Sequence, residues 1–180
     1  LVAKVNPYIY LRKMREPLLV AFSTSSSGAT MPVTLRTVKD KLGVDNKVAS
    51  FAVPLGTTIN MDGTAIMQGV ATVFIAQFYG IDLSVNAYLM VILTATMVSI
   101  GAAGVPGVGI VMLSMVLAQA GLPVEGIGLI IGVDRLLDMM RTCVNVAGDG
   151  MVSTSIAASE GQLNRDTYND MELVQDKSGS

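Results

Sequence analysis

The protein has 180 residues, of which 51% are hydrophobic and only 14% charged, with a net charge of −2. Soluble domains carry about 25% charged residues, so this chain has too little charge for a water-covered surface, and it is too apolar to be disordered. The acidic balance gives no basic face for nucleic acid, and the absence of His and the single Cys143 exclude His-based catalysis, an internal disulfide and a Cys-based zinc site. The class that remains is an integral membrane protein.

Charge is distributed unevenly along the chain. Residues 1–47 contain eight of the twelve Lys and Arg residues, and residues 48–133 contain none. A long stretch without basic residues is typical of a membrane-embedded region, and this one allows three or four passes at about 20 residues each. The chain begins at Leu1 without an initiator Met or a signal peptide, which predicts a fragment of a longer protein.

The first predicted element is a re-entrant helical hairpin over about residues 8–42. Its two apolar arms flank the polar stretch Ser23–Gly28, and each is too short to cross a hydrocarbon layer of about 30 Å. Both outer ends are basic, which predicts entry from the cytoplasmic side. Backbone N–H groups at the tip favour an anion, and a flexible Ser/Gly loop is the alternative.

The second predicted element is a membrane-spanning helix over about residues 48–79. Its centre carries Asn60-Met61-Asp62-Gly63-Thr64, whose Asn, Asp and Gly favour a break in the helix. An unwound stretch exposes carbonyl oxygens, and with the side chains of Asn60 and Asp62 these are ligands suited to Na⁺. A tight Asp-Gly turn is the alternative.

The third predicted element is a second re-entrant hairpin, over about residues 84–121. Its arms flank Gly101–Gly107, a Gly- and Pro-containing stretch that interrupts a helix, and its outer ends have no basic residue. It is therefore expected to enter from the outside and to act as a mobile gate, with a plain extracellular turn as the alternative. Hairpin, broken helix, hairpin and helix form an inverted repeat, and paired interrupted segments of this kind indicate a transporter's binding site.

The fourth predicted element is a spanning helix over about residues 126–158. Its polar residues fall within an arc of roughly 100° at 3.6 residues per turn, and they are Asp134, Asp138, Arg141, Thr142, Asn145 and Asp149. A charge at the centre of a membrane helix costs about 2.5–3.5 kcal/mol, so such residues usually line a site. Arg141 suits a substrate carboxylate, Asp138 an ammonium, and Asn145 with Asp149 a small cation. Salt bridges that hold helices together are the alternative.

Four motifs in this order resemble the C-terminal half of the glutamate/aspartate transporter family, the dicarboxylate/amino acid:cation symporters. They are Thr24–Gly28, Asn60–Thr64, Gly104–Gly107 and Asp138–Asp149, and the resemblance covers about residues 5–162. It implies an all-α membrane protein that works as a homotrimer by an elevator movement. Residues 1–162 would be a partial transport domain without the N-terminal scaffold helices, and residues 163–180 a polar cytoplasmic tail.

The resemblance also implies residue roles. Arg141 would hold the side-chain carboxylate of the substrate and Asp138 its amino group, and further substrate contacts would come from Ser26, Thr64, Val105, Gly109, Thr142 and Asn145. One Na⁺ would lie among Gly56, Asn60, Asn145 and Asp149. A second would use Thr58, Met61 and the carbonyls of Ser99, Ile100 and Ala102. A third would use Asn60 and Asp62 with a helix absent from this chain.

Three positions depart from some relatives. Many carry an Arg where this chain has Thr24 or Met139, which leaves counter-transport of K⁺ open, and some carry a hydroxyl residue in place of Ala102. Arg141 argues against a neutral amino acid as substrate, and Asp138 argues against a plain C4-dicarboxylate.

The function predicted from these residues is Na⁺-coupled symport of glutamate or aspartate across the plasma membrane, or the inner membrane of a bacterium. No enzyme activity and no cofactor are expected; Na⁺ is the coupling ion. The alternatives are a proton-coupled carrier of acidic amino acids or dicarboxylates, an ion channel built on the same re-entrant loops, and a structural membrane subunit. An intramembrane hydrolase with a nucleophile among Ser25–Ser27 is a further alternative, but the chain has no His, and its apolar region has no Lys, to act as the base.

Overall fold

The computed structural model describes residues 3–174. Within this range the protein is all-α, as predicted, and its only β-type pairing is an isolated antiparallel bridge between Val44 and Leu163. The α-helices in chain order are α1 (Pro7–Lys13), α2 (Arg15–Thr24), α3 (Ser27–Asp40), α4 (Asn46–Ile59), α5 (Asp62–Phe78), α6 (Val85–Ser99), α7 (Val108–Gln119), α8 (Ile127–Ser159) and α9 (Arg165–Asn169). Short 3₁₀ helices lie at Val124–Gly126 and Glu172–Val174.

Helices α2 and α3 pack against each other and form hairpin 1. The chain reverses at Ser25, which has a left-handed conformation with φ of 51°, and Ser26 begins α3 by accepting a hydrogen bond from the N–H of Ala29 at 3.1 Å. A serine at this position satisfies a backbone N–H that the helix itself cannot. The Ser-rich tip is therefore an ordered turn.

The predicted break in the second element lies between α4 and α5. The helical conformation is lost at Asn60 and Met61 and resumes at Asp62. Thr64, one turn further, is completely buried. Each half of the broken helix packs against α8, so the unwound residues face the centre of the molecule.

Helices α6 and α7 form hairpin 2. The eight-residue connection 100–107 is irregular, and Gly101 and Gly107 both have left-handed backbones, with φ of 81° and 79°. Glycine adopts this conformation without the steric cost that other residues have. The Gly-Val-Pro-Gly sequence therefore produces an irregular tip, as its composition predicts.

Helix α8 is the central element, with 33 residues and contacts to both hairpins and to both halves of the broken helix. Hairpin 1 and α4 pack against the second half of α8 in one apolar core, around Val53, Val146 and Ala157. Helices α5 and α7 pack against the first half of α8 in a second apolar core, around Ile75, Leu117 and Ile130. The polar stripe of α8 lies between these two cores.

The segment after α8 packs against the ends of hairpin 1, which its polar composition does not predict. The N–H of Asn164 donates to the carbonyl of Gly43 at 2.8 Å, and Tyr168 is fully buried with its hydroxyl donating to the carbonyl of Asn6 at 2.9 Å. Burial raises the pKa of the Tyr168 phenol, so it remains a neutral donor. The ammonium of Lys13, itself buried, donates to the carbonyls of Lys41 at 2.7 Å and Thr167 at 2.6 Å. Of the predicted tail, residues 175–180 lie outside the described residues.

Within residues 3–174, no helix combines the length and the apolarity needed to cross a membrane.

Candidate functional site

The polar stripe of α8 faces the interior of the protein. Five of its six predicted members are buried, and Asp134 is half-buried at its edge; the buried ones are Asp138, Arg141, Thr142, Asn145 and Asp149. The large apolar residues on the other side of the helix, Leu136, Met140 and Val144, are exposed. Polar residues inside and apolar residues outside are the reverse of a helix on a water-soluble protein.

Arg141 and Asp138 form a buried ion pair, Nη2 of the guanidinium contacting Oδ1 of the carboxylate. Arg141 is only 5% exposed, and its Nε and Nη1 have no hydrogen-bond partner in the described part of the chain. The second oxygen of Asp138 accepts the N–H of Gly107 at 2.8 Å, which ties the tip of hairpin 2 to α8. Buried guanidinium donors without a partner cost free energy, and an anionic ligand that accepts from them would remove this cost.

Gly109 lies against this guanidinium. A Cβ atom built there would lie 2.5 Å from Nη1 of Arg141, so only glycine fits without displacing one of the two groups. The predicted contact of hairpin 2 with the site is present as this close approach.

Asn145 joins α8 to the broken helix. Its Oδ1 accepts the N–H of Gly63 at 2.8 Å, and its Nδ2 donates to Oγ1 of Thr64 at 3.2 Å and to the sulfur of Met61 at 3.1 Å. One turn earlier, the hydroxyl of Thr142 donates to the carbonyl of Asp138 at 2.8 Å. The amide of Asn145 thereby fixes the first turn of α5 in register with α8.

The tips of the two hairpins meet directly above these residues. The hydroxyl of Ser26 donates to the carbonyl of Gly104 at 2.6 Å, and the N–H of Gly28 donates to the same carbonyl at 3.1 Å. The N–H of Gly101 donates to the carbonyl of Thr58 at 2.8 Å. Hairpin 2 is therefore closed over the site by hydrogen bonds at its tip.

A cavity of about 10 Å³ remains beneath the tips, room for about one water molecule. Five of the eight predicted substrate residues line it: Thr64, Val105, Arg141, Thr142 and Asn145. Asp138 and Gly109 contact Arg141, and Ser26 lies between the lining residues Ser25 and Ser27. The fold thus brings all eight together, although they come from four separate stretches of sequence.

The first predicted cation set is also brought together. Nδ2 of Asn60 donates to Oδ1 of Asp149 at 3.2 Å and to the carbonyl of Asn145 at 3.5 Å. Gly56 lies against the same carboxylate, since a Cβ there would be 2.5 Å from Oδ1 of Asp149. The amide nitrogen of Asn60 thus faces a carbonyl and a carboxylate oxygen, and oxygen ligands of these two kinds are suited to a hard cation.

The other two cation sets are less complete in the described chain. In the second set, the hydrogen bond between Gly101 and Thr58 places the tip of hairpin 2 beside α4. Of the members of this set, Ser99 and Ala102 are buried, whereas Thr58 and Ile100 are exposed. In the third, Asp62 is exposed and has no hydrogen bond to Asn60. No group of three or more His, Cys, Asp or Glu residues that could hold a metal occurs among residues 3–174.

Sequence analysis missed two buried polar residues on α5. Gln68 and Thr72 are completely buried, and both amide atoms of Gln68 and the hydroxyl of Thr72 lack a partner in the described structure. With the cavity residue Thr64 they follow a spacing of four along one face of an apolar helix. That spacing was the signal that could have found them.

Comparison with known proteins places the chain in a family. Residues 1–159 match the model of the sodium:dicarboxylate symporter family, and the chain belongs to this family of transporters. It is 49% identical over 148 residues to an excitatory amino acid transporter of Caenorhabditis elegans, covering 82% of this chain and 29% of that protein. It is 50% identical over 149 residues to excitatory amino acid transporter 3 of Mus musculus (83% and 28%), and 47% identical over 148 residues to excitatory amino acid transporter 2 of Rattus norvegicus (82% and 26%). The chain therefore spans less than a third of the length of these relatives.

Proposed function

We propose that this chain forms the substrate- and sodium-binding part of a secondary active symporter that couples uptake of glutamate or aspartate to Na⁺. The observation that carries the proposal is the buried guanidinium of Arg141, with two unpaired nitrogens at the wall of a closed cavity and Asp138 beside it. The family match and the names of the relatives point in the same direction.

The Arg141–Asp138 pair suits an acidic amino acid because such a substrate can satisfy both of its members. The planar guanidinium binds the side-chain carboxylate in a bidentate manner, and the Asp138 carboxylate binds the ammonium. One internal ion pair is thus exchanged for two ion pairs with the substrate, and the α-carboxylate of the substrate is left to neutral hydrogen-bond donors of the site. Thr64, Thr142 and Asn145 supply neutral polar contacts, and Ser26, Val105 and Gly109 bring the hairpins onto the substrate.

Coupling to Na⁺ follows from residues that belong to both sites. The side chain of Asn145 lines the cavity, whereas its carbonyl, with Gly56, Asn60 and Asp149, belongs to the first cation set. A cation that fixes Asn60 and Asn145 also fixes the wall of the substrate site, so each ligand strengthens binding of the other. A second Na⁺ at Thr58, Met61, Ser99, Ile100 and Ala102 would require the closed tip of hairpin 2. A third would use Asn60 and Asp62 with a helix from elsewhere in the protein.

A membrane setting is supported by the reversed polarity of the structure. Large apolar side chains are exposed along α5, α6 and α8, while the buried positions of α3 and α8 include Thr, Asn, Asp and Arg. Exposed apolar surface on this scale fits lipid or another membrane helix. We therefore place the two hairpins as re-entrant elements of a plasma-membrane carrier, a homotrimer with an elevator mechanism whose scaffold lies outside this chain.

The test is uptake by the full-length protein in proteoliposomes. Labelled aspartate or glutamate is supplied with an inward Na⁺ gradient, an inward proton gradient or neither, and Arg141→Ala is compared with Arg135→Ala, an exposed arginine on the same helix. We expect Na⁺-dependent uptake that Arg141→Ala abolishes and Arg135→Ala retains.

Each other outcome contradicts a different part of the proposal. Uptake driven by protons alone would overturn the cation assignments but not the substrate. Uncoupled ion current without solute accumulation would indicate a channel. No uptake by a folded protein under any gradient would overturn the substrate assignment.

A further inference from the structure

Helices α1 and α2 carry one continuous exposed stripe. The hydrogen-bond ladder passes through the residue between them, because the N–H of Met14 donates to the carbonyl of Tyr10 at 2.9 Å and the carbonyl of Met14 accepts from Leu18 at 3.0 Å. The stripe residues are separated by four, three, four and three positions, the spacing of one helix face, and all are exposed: Tyr8, Arg12, Arg15, Leu19 and Phe22. We call them the outer stripe.

A pocket of about 330 Å³ opens beside the two arginines of the outer stripe. Its lining includes Arg12, Arg15 and Leu19, and one acid, Glu16. The Glu16 carboxylate is already neutralised, because it forms ion pairs with Arg36 and with Nζ of Lys41, the latter at 3.0 Å. Arg12 and Arg15 form no ion pair with any residue in the range 3–174, so within that range both guanidinium groups are available to an anion.

The order of residues along the outer stripe matches the layers of a bilayer surface. Tyr8 lies at the outer end with the guanidinium of Arg12 over its ring, 5.5 Å from the centroid. The two arginines follow, and then Leu19, 65% exposed, and Phe22 towards the hairpin tip. Tyrosine is favoured at the interface, arginine binds phosphate in a bidentate manner, and exposed Leu and Phe suit acyl chains. A free phosphate would use the arginines but not the two apolar residues.

We propose that the outer stripe is a binding site for an anionic phospholipid, with its phosphate between Arg12 and Arg15 and an acyl chain along Leu19 and Phe22. This rests on the membrane setting of the proposed function and is independent of the solute that is carried. Basic pockets at the cytoplasmic end of membrane helices are suited to such headgroups. The bound lipid would fix the entry angle of hairpin 1 at the membrane surface.

The test is native mass spectrometry of the full-length protein in detergent, titrated with dioleoylphosphatidylglycerol or dioleoylphosphatidylcholine. The variant Arg12→Gln/Arg15→Gln is compared with Lys39→Gln/Lys47→Gln, which removes the same charge near the same end of hairpin 1. We expect phosphatidylglycerol to bind at least about tenfold more weakly to the arginine pair variant and with almost unchanged affinity to the lysine pair variant. Leu19→Gln should weaken lipid binding, and inorganic phosphate should not displace the lipid. Thermal unfolding checks that each variant is folded.

Several results would overturn the proposal. One is that phosphatidylglycerol affinity falls equally in both pair variants, or does not fall in the arginine pair variant. Others are that phosphatidylcholine binds as tightly as phosphatidylglycerol, or that inorganic phosphate displaces the lipid. The last is that Leu19→Gln leaves lipid affinity unchanged and another part of the protein is shown to cover the stripe. The assay needs no ion gradient or transported solute. A failure of uptake, which would count against the proposed function, is therefore distinguishable from a failure of lipid binding.

Discussion

The two hairpins meet at the same site, but they are attached to the protein in different ways. Hairpin 1 buries polar residues along α3, including Thr30, Thr34 and Thr37, and its ends are tied to the segment after α8 by Lys13. Hairpin 2 has apolar arms, and its hydrogen bonds to the rest of the described chain all lie at residues 101–107. Hairpin 1 is fastened at its base and hairpin 2 at its tip.

This difference indicates which hairpin can open. Moving hairpin 1 would expose buried polar groups and break the contacts of a buried ammonium, each of which is costly. Moving hairpin 2 breaks four hydrogen bonds at its tip, which water can replace, and shifts apolar contacts of α7 with α5 and α8 without exposing a buried ammonium. We therefore propose that hairpin 2, whose tip contains Gly and Pro, is the gate over the cavity.

The largest expected effect is at the base of hairpin 1. Lys13→Met removes the hydrogen bonds that the buried ammonium donates to the carbonyls of Lys41 and Thr167, which we expect to lower the free energy of unfolding by about 2–4 kcal/mol. Thermal unfolding of the full-length protein measures this loss, and amide hydrogen exchange should rise at residues 41–45 and 162–168. Lys47→Met, at an exposed lysine, is the control and should change neither. An equal rise in exchange at hairpin 2 would contradict separate fastening of the two hairpins.

A smaller effect is expected where hairpin 2 meets Arg141. Gly109→Ala places a methyl group against Nη1, so α7 must move away and closure over the substrate becomes less favourable. We expect aspartate affinity, measured by equilibrium binding, to fall about tenfold, corresponding to overpacking of about 1–3 kcal/mol. Gly128→Ala is the matched control, because a Cβ there meets nothing within 4 Å. Unchanged affinity in Gly109→Ala would mean that α7 does not close on Arg141.

The smallest effect is expected at the contact between the two tips. Ser26→Ala removes the cap of α3 and the hydrogen bond to Gly104, whereas Ser84→Ala removes only the comparable cap of α6. Each cap contributes about 1 kcal/mol, so Ser84→Ala should lose about that much stability, and Ser26→Ala should lose more because the hydrogen bond to Gly104 is also removed. Only Ser26→Ala should speed amide exchange at residues 101–107. The same acceleration in Ser84→Ala would show that the tip contact does not hold hairpin 2 closed.

Much of this architecture was predictable because it depends on local sequence. Asn60 and Gly63 are poor in helix interiors, so the break could be located to within a few residues. Helical periodicity alone places the polar residues of α8 on one face, and this grouping does not depend on what the face contacts. The all-α class and the family follow from the same features.

Other parts could not be predicted because they depend on contacts between distant residues. The carbonyl of Gly104, which joins the two tips, accepts hydrogen bonds from Gly28 and Ser26, which are 76 and 78 positions away in the sequence. The polar segment that contains Tyr168 reads as a solvated tail, and only its contact with Asn6 and Gly43 explains its burial. Local propensity contains no information on such pairings.

Three basic residues separate what the sequence determines from what the tertiary structure determines: Arg12, Lys13 and Arg15. The sequence by itself determined that this end of the hairpin is basic and that residues 12 and 15 share a helix face while residue 13 does not. The tertiary structure decided that Lys13 points inward to carbonyls of two distant segments while Arg12 and Arg15 remain exposed. The reason is physical: periodicity sets which side chains lie together, but only the packing of the other helices sets which face is buried.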